Sequence, residues 1–83
     1  MRTRATNKHI LGVILKSARK NKELTQAEAG KFVGVDQTTL SNIERGESNL
    51  HIETLFRILA ALDMEMIVRP RKTSNNQNEG DTW

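Results

Sequence analysis

The chain has 83 residues, no cysteine and a net charge of +3. A chain of this length has room for one small domain, and the lack of cysteine excludes disulfides and thiolate zinc sites as sources of its stability. The longest apolar runs, at 10–15 and 58–62, are far shorter than the roughly 18 residues that a membrane span needs. The amino terminus also lacks the apolar segment and cleavage site of a secretory signal, so we expect a cytoplasmic domain stabilised by packing or oligomerisation.

The basic residues are concentrated at one end of the chain. Residues 1–22 carry seven basic side chains and no acidic one, whereas residues 23–65 carry eight acidic side chains and three basic ones. A one-sided basic segment in a chain with a pI of about 9.7 favours an anionic partner, such as a phosphate backbone or an anionic membrane surface. A solvated, soluble arm is the alternative that charge alone leaves open.

Apolar spacing and capping residues predict three helices in the first half of the chain. Residues 7–22 repeat apolar side chains at three-and-four spacing, which is typical of an amphipathic helix. The capping box Thr25-Gln26-Ala27-Glu28 then begins a second helix over 26–33, which Gly34 ends because glycine tolerates positive φ. Asp36 is a good N-cap for a third helix that runs through residue 45.

A fourth helix and one strand are predicted in the second half. Helical spacing over 51–62 assigns five apolar side chains to the core: Ile52, Leu55, Phe56, Leu59 and Leu62. Residues 64–69 lie between Asp63 and Pro70. Their side chains follow an alternating pattern, which predicts a strand. Because the chain has no second strand pattern, we expect pairing with the same strand of a second copy, and hence a homodimer. The dimerisation residues would be Met64, Met66, Ile67, Val68 and Arg69. The alternative is an unpaired coil.

The two ends of the chain are predicted to lie outside the folded domain. Residues 1–6 would form a basic arm, and residues 7–70 would form the folded domain, which includes the segment predicted to dimerise. Residues 71–83 are polar and of low complexity, which predicts a disordered tail. The tail ends in Trp83, which is either an anchor for a partner's pocket or an idle terminal residue.

Residues 26–46 predict a helix-turn-helix, because two short helices must cross over a very short turn. The outward residues of the second of these helices are short amides and hydroxyls. Glutamine and asparagine can pair with adenine, and threonine can contact thymine or a phosphate. The predicted base-contacting residues are Gln37, Thr38, Ser41 and Asn42, so residues 7–70 are predicted to be a DNA-binding and dimerisation domain. The alternative is a polar helix surface that merely faces solvent.

Two segments, Leu24-Thr25-Gln26-Ala27-Glu28 and Ser41-Asn42-Ile43-Glu44-Arg45-Gly46, resemble the phage-repressor (Xre, Cro/C1) helix-turn-helix family. The resemblance covers roughly residues 10–62 and implies an all-α, repressor-like domain of four to five helices, to which the pattern at 64–69 adds a C-terminal strand paired across a homodimer. The strand and the tail ending in tryptophan resemble HipB-type antitoxins. That resemblance implies a dimeric repressor that binds a pseudo-palindromic operator of its own toxin–antitoxin operon, with a HipA-type serine/threonine kinase toxin as partner.

The repressor family also implies roles for particular residues. The family pattern implies phosphate contacts from Gln26 and Thr39 and base contacts from the stripe on the third helix. The basic side chains of Lys31 and Arg45 are further expected phosphate contacts. Arg19 and Glu44 match the internal ion pair of the family. Phe32 lies where a polar residue is usual, so it is a candidate partner contact together with Trp83, or else a single exposed apolar residue.

The sequence lacks the residues that an enzyme would need. His9 and His51 are isolated, and there is no thiol, glycine-rich phosphate loop or His-x-x-x-His pair. We therefore expect no catalytic residue, metal or cofactor. Two other functions stay open: a free-standing phage-type or mobile-element repressor without a toxin, and a protein-interaction module with only generic DNA binding.

Overall fold

The computed structural model describes residues 4–71, which form four helices and no strand. The helices are α1 (Lys8–Asn21), α2 (Gln26–Val33), α3 (Gln37–Glu44) and α4 (Ile52–Ala61). α3 packs against both α1 and α2, and α2 also packs against α4. The predicted all-α helix-turn-helix architecture is therefore confirmed, with helix bounds close to those expected from the sequence.

Side-chain caps begin α2 and α3 where the sequence predicts them. The Glu28 amide donates to Thr25 Oγ1 over 3.0 Å, and the Thr25 amide donates to Glu28 Oε1 over 2.8 Å, which completes the capping box. Hydrogen bonds from the backbone and then the hydroxyl of Thr25 lower the pKa of Glu28. At α3, the amide of Thr39 donates to Asp36 Oδ1 over 2.7 Å. These bonds satisfy amide groups that have no partner inside the helix.

The turn between α2 and α3 depends on two glycines. Gly34 has a φ of 91°, in the left-handed region that favours glycine, and its amide donates to the carbonyl of Gly30 over 2.7 Å. A Cβ atom on Gly30 would lie 2.6 Å from the carbonyl oxygen of Val35. The chain can therefore reverse tightly and set α3 close against α2.

We expect the cap of α3 to make the stability of the domain pH-dependent. Hydrogen bonds from the side chain and backbone of Thr39 lower the pKa of Asp36. The folded state thus favours the carboxylate, so its stabilisation is present above the unfolded pKa and is lost as pH falls through the lowered folded pKa. Asp36→Ala should lower the Tm at neutral pH, and the difference from wild type should shrink in acid, measured by thermal unfolding with circular dichroism.

Asp36→Asn is the matched control for this cap, since asparagine also caps helices but does not titrate. Its Tm at neutral pH should stay close to that of wild type. A Tm as low as that of the alanine variant would show that the hydrogen bond to Thr39 contributes nothing as a cap.

The core contains side chains from all four helices. The buried apolar residues are Leu15, Ala29, Val33, Leu40, Ile43, Leu55, Ile58, Leu59 and Leu62. The prediction that Ile52 and Phe56 also lie in the core is wrong, because they are 59% and 53% exposed. The apolar surface of α4 is wider than the stripe that the other three helices cover, and these two residues lie outside that stripe.

Residues 64–70 follow α4 without regular secondary structure, so the strand predicted over 64–69 is absent from the single chain. A strand needs a ladder partner, and the sequence assigned that partner to a second copy, so pairing across a dimer stays a prediction. Met64 packs against the core, whereas Met66, Ile67, Val68 and Arg69 are exposed.

Part of the predicted organisation lies outside the described residues. The predicted anchor Trp83, most of the tail predicted over 71–83 and the first half of the predicted basic arm are among them. Within residues 4–71, no helix is both long and apolar enough to cross a membrane. The same part of the chain contains no cluster of three His, Asp or Glu residues suited to a metal ion.

Candidate nucleic-acid interface

The outer surface of α3 carries the four predicted base-contacting residues side by side. Gln37 and Thr38 are exposed in the first turn, and Ser41 and Asn42 are half-buried one turn later. We call these four residues the α3 stripe. The other face of α3 is buried in the core through Leu40 and Ile43. Because that face is anchored, the α3 stripe is held outward, where a ligand can reach it.

A buried ion pair holds the carboxyl end of α3 against α1. Arg19 Nε donates to Glu44 Oε2 over 2.7 Å, and Nη2 donates to Glu44 Oε1 over 3.1 Å. Both residues are buried, and Arg19 Nη1 also donates to the carbonyl of Leu24 over 2.7 Å. The predicted internal ion pair is thus present, and it fixes the end of α3 relative to the start of α2.

Gln26 makes a contact that its sequence pattern does not predict. Its Nε2 donates to Glu44 Oε1 over 3.0 Å, so the first residue of α2 is tied to the last residue of α3. The missed signal lies in Glu44, since a carboxylate accepts about four hydrogen bonds and one arginine leaves part of that capacity unused. The predicted role of Gln26 as a phosphate contact stays a prediction. Its position at a helix amino terminus favours an anion.

Arg45 follows α3 and contacts the α3 stripe. Its Nη1 donates to Ser41 Oγ and its Nη2 donates to Asn42 Oδ1, each over 2.5 Å. Its Nε donates to Glu47 Oε1 over 3.2 Å. Three of the five guanidinium N–H groups are therefore engaged, and two are left for the predicted phosphate contact. The sequence signal for these bonds was the spacing, because Ser41 and Asn42 lie four and three positions before Arg45.

The basic segment contributes less free charge to the surface than its composition indicates. Arg19 is buried in its ion pair, and Lys22 Nζ lies 2.5 Å from Asp63 Oδ2. Lys8 Nζ donates to Asn49 Oδ1 over 3.4 Å, which places the amino end of α1 beside the loop that follows α3. Lys8 thus adds a positive charge near the carboxyl end of α3.

The remaining predicted contacts lie on α2 and α3. Lys31 and Phe32 are both exposed on α2, and Phe32 is 72% exposed. Thr39 is half-buried on α3, where its amide is engaged in the cap at Asp36. The exposure of Phe32 matches the outward position expected from the sequence.

This arrangement of helices is shared with a known family. The helix-turn-helix family model HTH_3 matches residues 15–67. The chain belongs to this helix-turn-helix family. Antitoxin HipB of Escherichia coli (strain K12) is 31% identical over 64 residues, which are 77% of this chain and 73% of that protein. The ImmF control region 10 kDa protein of Bacillus phage phi105 is 38% identical over 58 residues, 70% of this chain and 64% of that protein.

A solved structure extends the similarity to three dimensions. A chain of the HipA-HipB-O2-O3 complex matches with a TM-score of 0.75 and 30% identity, covering 86% of this chain and 100% of that chain. The resemblance to Xre-type regulators and HipB antitoxins is therefore confirmed. This helix-turn-helix protein is a DNA-binding regulator with HipB-like antitoxins among its homologues.

Proposed function

We propose that this protein is a homodimeric repressor that binds a pseudo-palindromic operator and regulates its own operon. α3 lies in the major groove, where Gln37, Thr38, Ser41 and Asn42 contact base edges. The observation that carries this proposal is the outward α3 stripe, with the core behind it and the Arg19–Glu44 pair at its end. The similarity to HipB and to a chain of the HipA-HipB-O2-O3 complex supports it.

The phosphate contacts in this proposal come from α2, α3 and the residue that follows α3. The four side chains are Gln26, Lys31, Thr39 and Arg45. Phosphate contacts set the position and orientation of a protein on the duplex, whereas contacts to base edges carry the sequence preference. The four phosphate-contacting side chains therefore affect binding to any DNA, whereas the α3 stripe mainly affects binding to the operator.

The dimer interface in this proposal combines α4 with the segment after it. Ile52 and Phe56 are exposed one helical turn apart on α4, and Met66, Ile67 and Val68 are exposed beyond its end. A second copy would cover this apolar surface and supply the strand partner that residues 64–69 lack within the described part of the chain. Homodimerisation also matches the two-fold symmetry of a pseudo-palindromic operator.

Phe56→Glu should weaken the proposed dimer. A charge in the middle of an apolar interface loses packing and adds an unpaired ion, so we expect the dimer dissociation constant to rise by about tenfold or more. Analytical ultracentrifugation measures this constant, and circular dichroism checks that the helices persist. Phe32→Glu is the matched control, because Phe32 is also exposed but lies on α2. Equal dissociation in both variants would contradict the assignment of the interface to α4.

The second partner in the proposal is a HipA-type serine/threonine kinase toxin, bound through Phe32 and Trp83. The HipA-HipB-O2-O3 complex supports this partner class, and the 72% exposure of Phe32 supplies an apolar contact. A chain ending at Arg71 should keep its operator affinity and lose affinity for a kinase encoded beside it, measured by calorimetry. If the shortened chain binds the kinase as tightly as the full chain, Trp83 is not an anchor.

The experiment that tests the repressor is footprinting on the DNA upstream of its own gene, repeated at several salt concentrations against random duplex. Two symmetric protected half-sites, separated by about one helical turn of 34–36 Å or a multiple of it, are expected. Salt-sensitive binding without sequence preference would contradict the repressor and favour an interaction module with generic DNA binding.

A free-standing phage-type repressor is the second candidate function, favoured by the similarity to the phage phi105 protein. A neighbouring kinase gene would contradict it.

A further inference from the structure

Arg45 is bonded to half of the α3 stripe. Its Nη1 donates to Ser41 Oγ and its Nη2 donates to Asn42 Oδ1. Glu47 Oε1 accepts from Nε of the same guanidinium, which anchors the arginine from the loop after α3. One residue thus contacts both of the base-reading side chains in the second turn of α3.

The chemistry of arginine determines what those two side chains can offer to DNA. A guanidinium has five donors and no acceptor, so an asparagine amide beside it must present its oxygen to the arginine. The amide of Asn42 is therefore held in one of its two orientations, with Nδ2 left to donate. The Ser41 hydroxyl accepts in the same way, so its own hydrogen is left to donate.

We propose that Arg45 is a positioning residue that makes Ser41 and Asn42 hydrogen-bond donors. It thereby sets which bases are preferred at the DNA positions that face the second turn of α3. The inference deepens the proposed function and rests on it. In the major groove, purine N7, guanine O6 and thymine O4 accept hydrogen bonds, whereas cytosine presents its N4 amino group as a donor. Two donors held in place match the first group and reject cytosine.

Removal of Arg45 changes this preference through the freedom of the amide. Without the guanidinium, the Asn42 amide can rotate by half a turn and present Oδ1 to a cytosine amino group. The Ser41 hydroxyl oxygen also becomes an available acceptor. Discrimination against cytosine therefore falls at these positions, while the positions that face Gln37 keep their preference.

The test compares the base preferences of full-length wild type, Arg45→Met and Lys31→Met in selections from DNA duplexes with randomised half-sites. Methionine keeps a long side chain without donors, and Lys31→Met removes the same charge from an exposed site on α2. Positions that face the second turn of α3 are those whose preference is lost in Asn42→Ala. At those positions, wild type should select cytosine about tenfold less often than the preferred base, and Arg45→Met should select it only about twofold less often. Lys31→Met should weaken binding to all sequences and keep the wild-type preference.

Two results of the selections would overturn the inference, and they are distinguishable. If wild type shows a base preference and Arg45→Met keeps the same discrimination against cytosine with a uniform loss of affinity, Arg45 acts only through its charge. If wild type shows no base preference at all, the proposed function fails together with the inference. A second readout uses the free protein: the side-chain amide of Asn42 should lose rigidity in Arg45→Met, measured by its ¹⁵N relaxation. Unchanged rigidity would contradict a positioning role.

Discussion

Glu44→Ala should lower the free energy of unfolding by about 3–5 kcal/mol, because it leaves the buried guanidinium of Arg19 without its counter-charge. The variant also removes the acceptor of Gln26 Nε2, which bonds Glu44 over 3.0 Å. A loss of this size is a large part of the roughly 5–15 kcal/mol that a native domain has. Urea unfolding followed by circular dichroism, with the protein concentration held constant, measures the difference.

Two controls separate burial from the simple loss of a charge. Glu53→Ala breaks the exposed pair with Arg57, at 3.5 Å, and should change stability by no more than about 0.5 kcal/mol. The double variant Arg19→Met/Glu44→Leu should recover much of the loss, because apolar residues of similar volume replace both buried charges. If Glu44→Ala costs no more than Glu53→Ala, the buried pair does not hold α3 in place.

Gln37→Ala should weaken binding to the cognate operator by about 1–3 kcal/mol and barely change binding to random DNA. Gln37 is exposed at the first residue of α3, where its amide offers a donor and an acceptor to one base. The proposed bidentate contact would be lost on truncation, whereas the proposed phosphate contacts would remain. Fluorescence anisotropy titrations on both duplexes at one salt concentration give the two free energies.

Lys31→Ala provides the opposite pattern for comparison with Gln37→Ala. Lys31 is exposed on α2. If it contacts a phosphate, its loss should weaken binding to both duplexes by the same amount. The slope of log affinity against log salt concentration should also become smaller by about 1. If Gln37→Ala weakens binding to both duplexes equally, Gln37 does not read a base. The two variants together thus distinguish sequence reading from charge attraction.

These predictions depend on features that differ in how far the sequence determined them. The start of α2 follows from the capping box, and its end follows from Gly34 at a φ of 91°. The Asp36 cap determines the start of α3 in the same way. Each of these signals acts over three or four neighbouring residues, so the chain carries them before any tertiary contact forms.

The Arg19–Glu44 pair and the α3 stripe could be predicted only in part from the sequence. The family resemblance implied the ion pair, and the outward residues of α3 followed from the apolar residues on its other face. Neither the Gln26 bond to Glu44 nor the Arg45 bonds to Ser41 and Asn42 was predicted. Those bonds depend on where the helices and the loop after α3 lie in space.

Because helical periodicity and caps are local, the four helices, the short turn of the helix-turn-helix and the outward polar stripe can all be predicted from the amino-acid sequence. The exposure of Ile52 and Phe56, and the absence of a ladder partner for residues 64–70 within residues 4–71, emerge only from the folded structure. An apolar side chain is buried only where another element covers it, and a strand forms only beside another strand. The arrangement of the helices around the core decides both, and helical spacing carries no information about it.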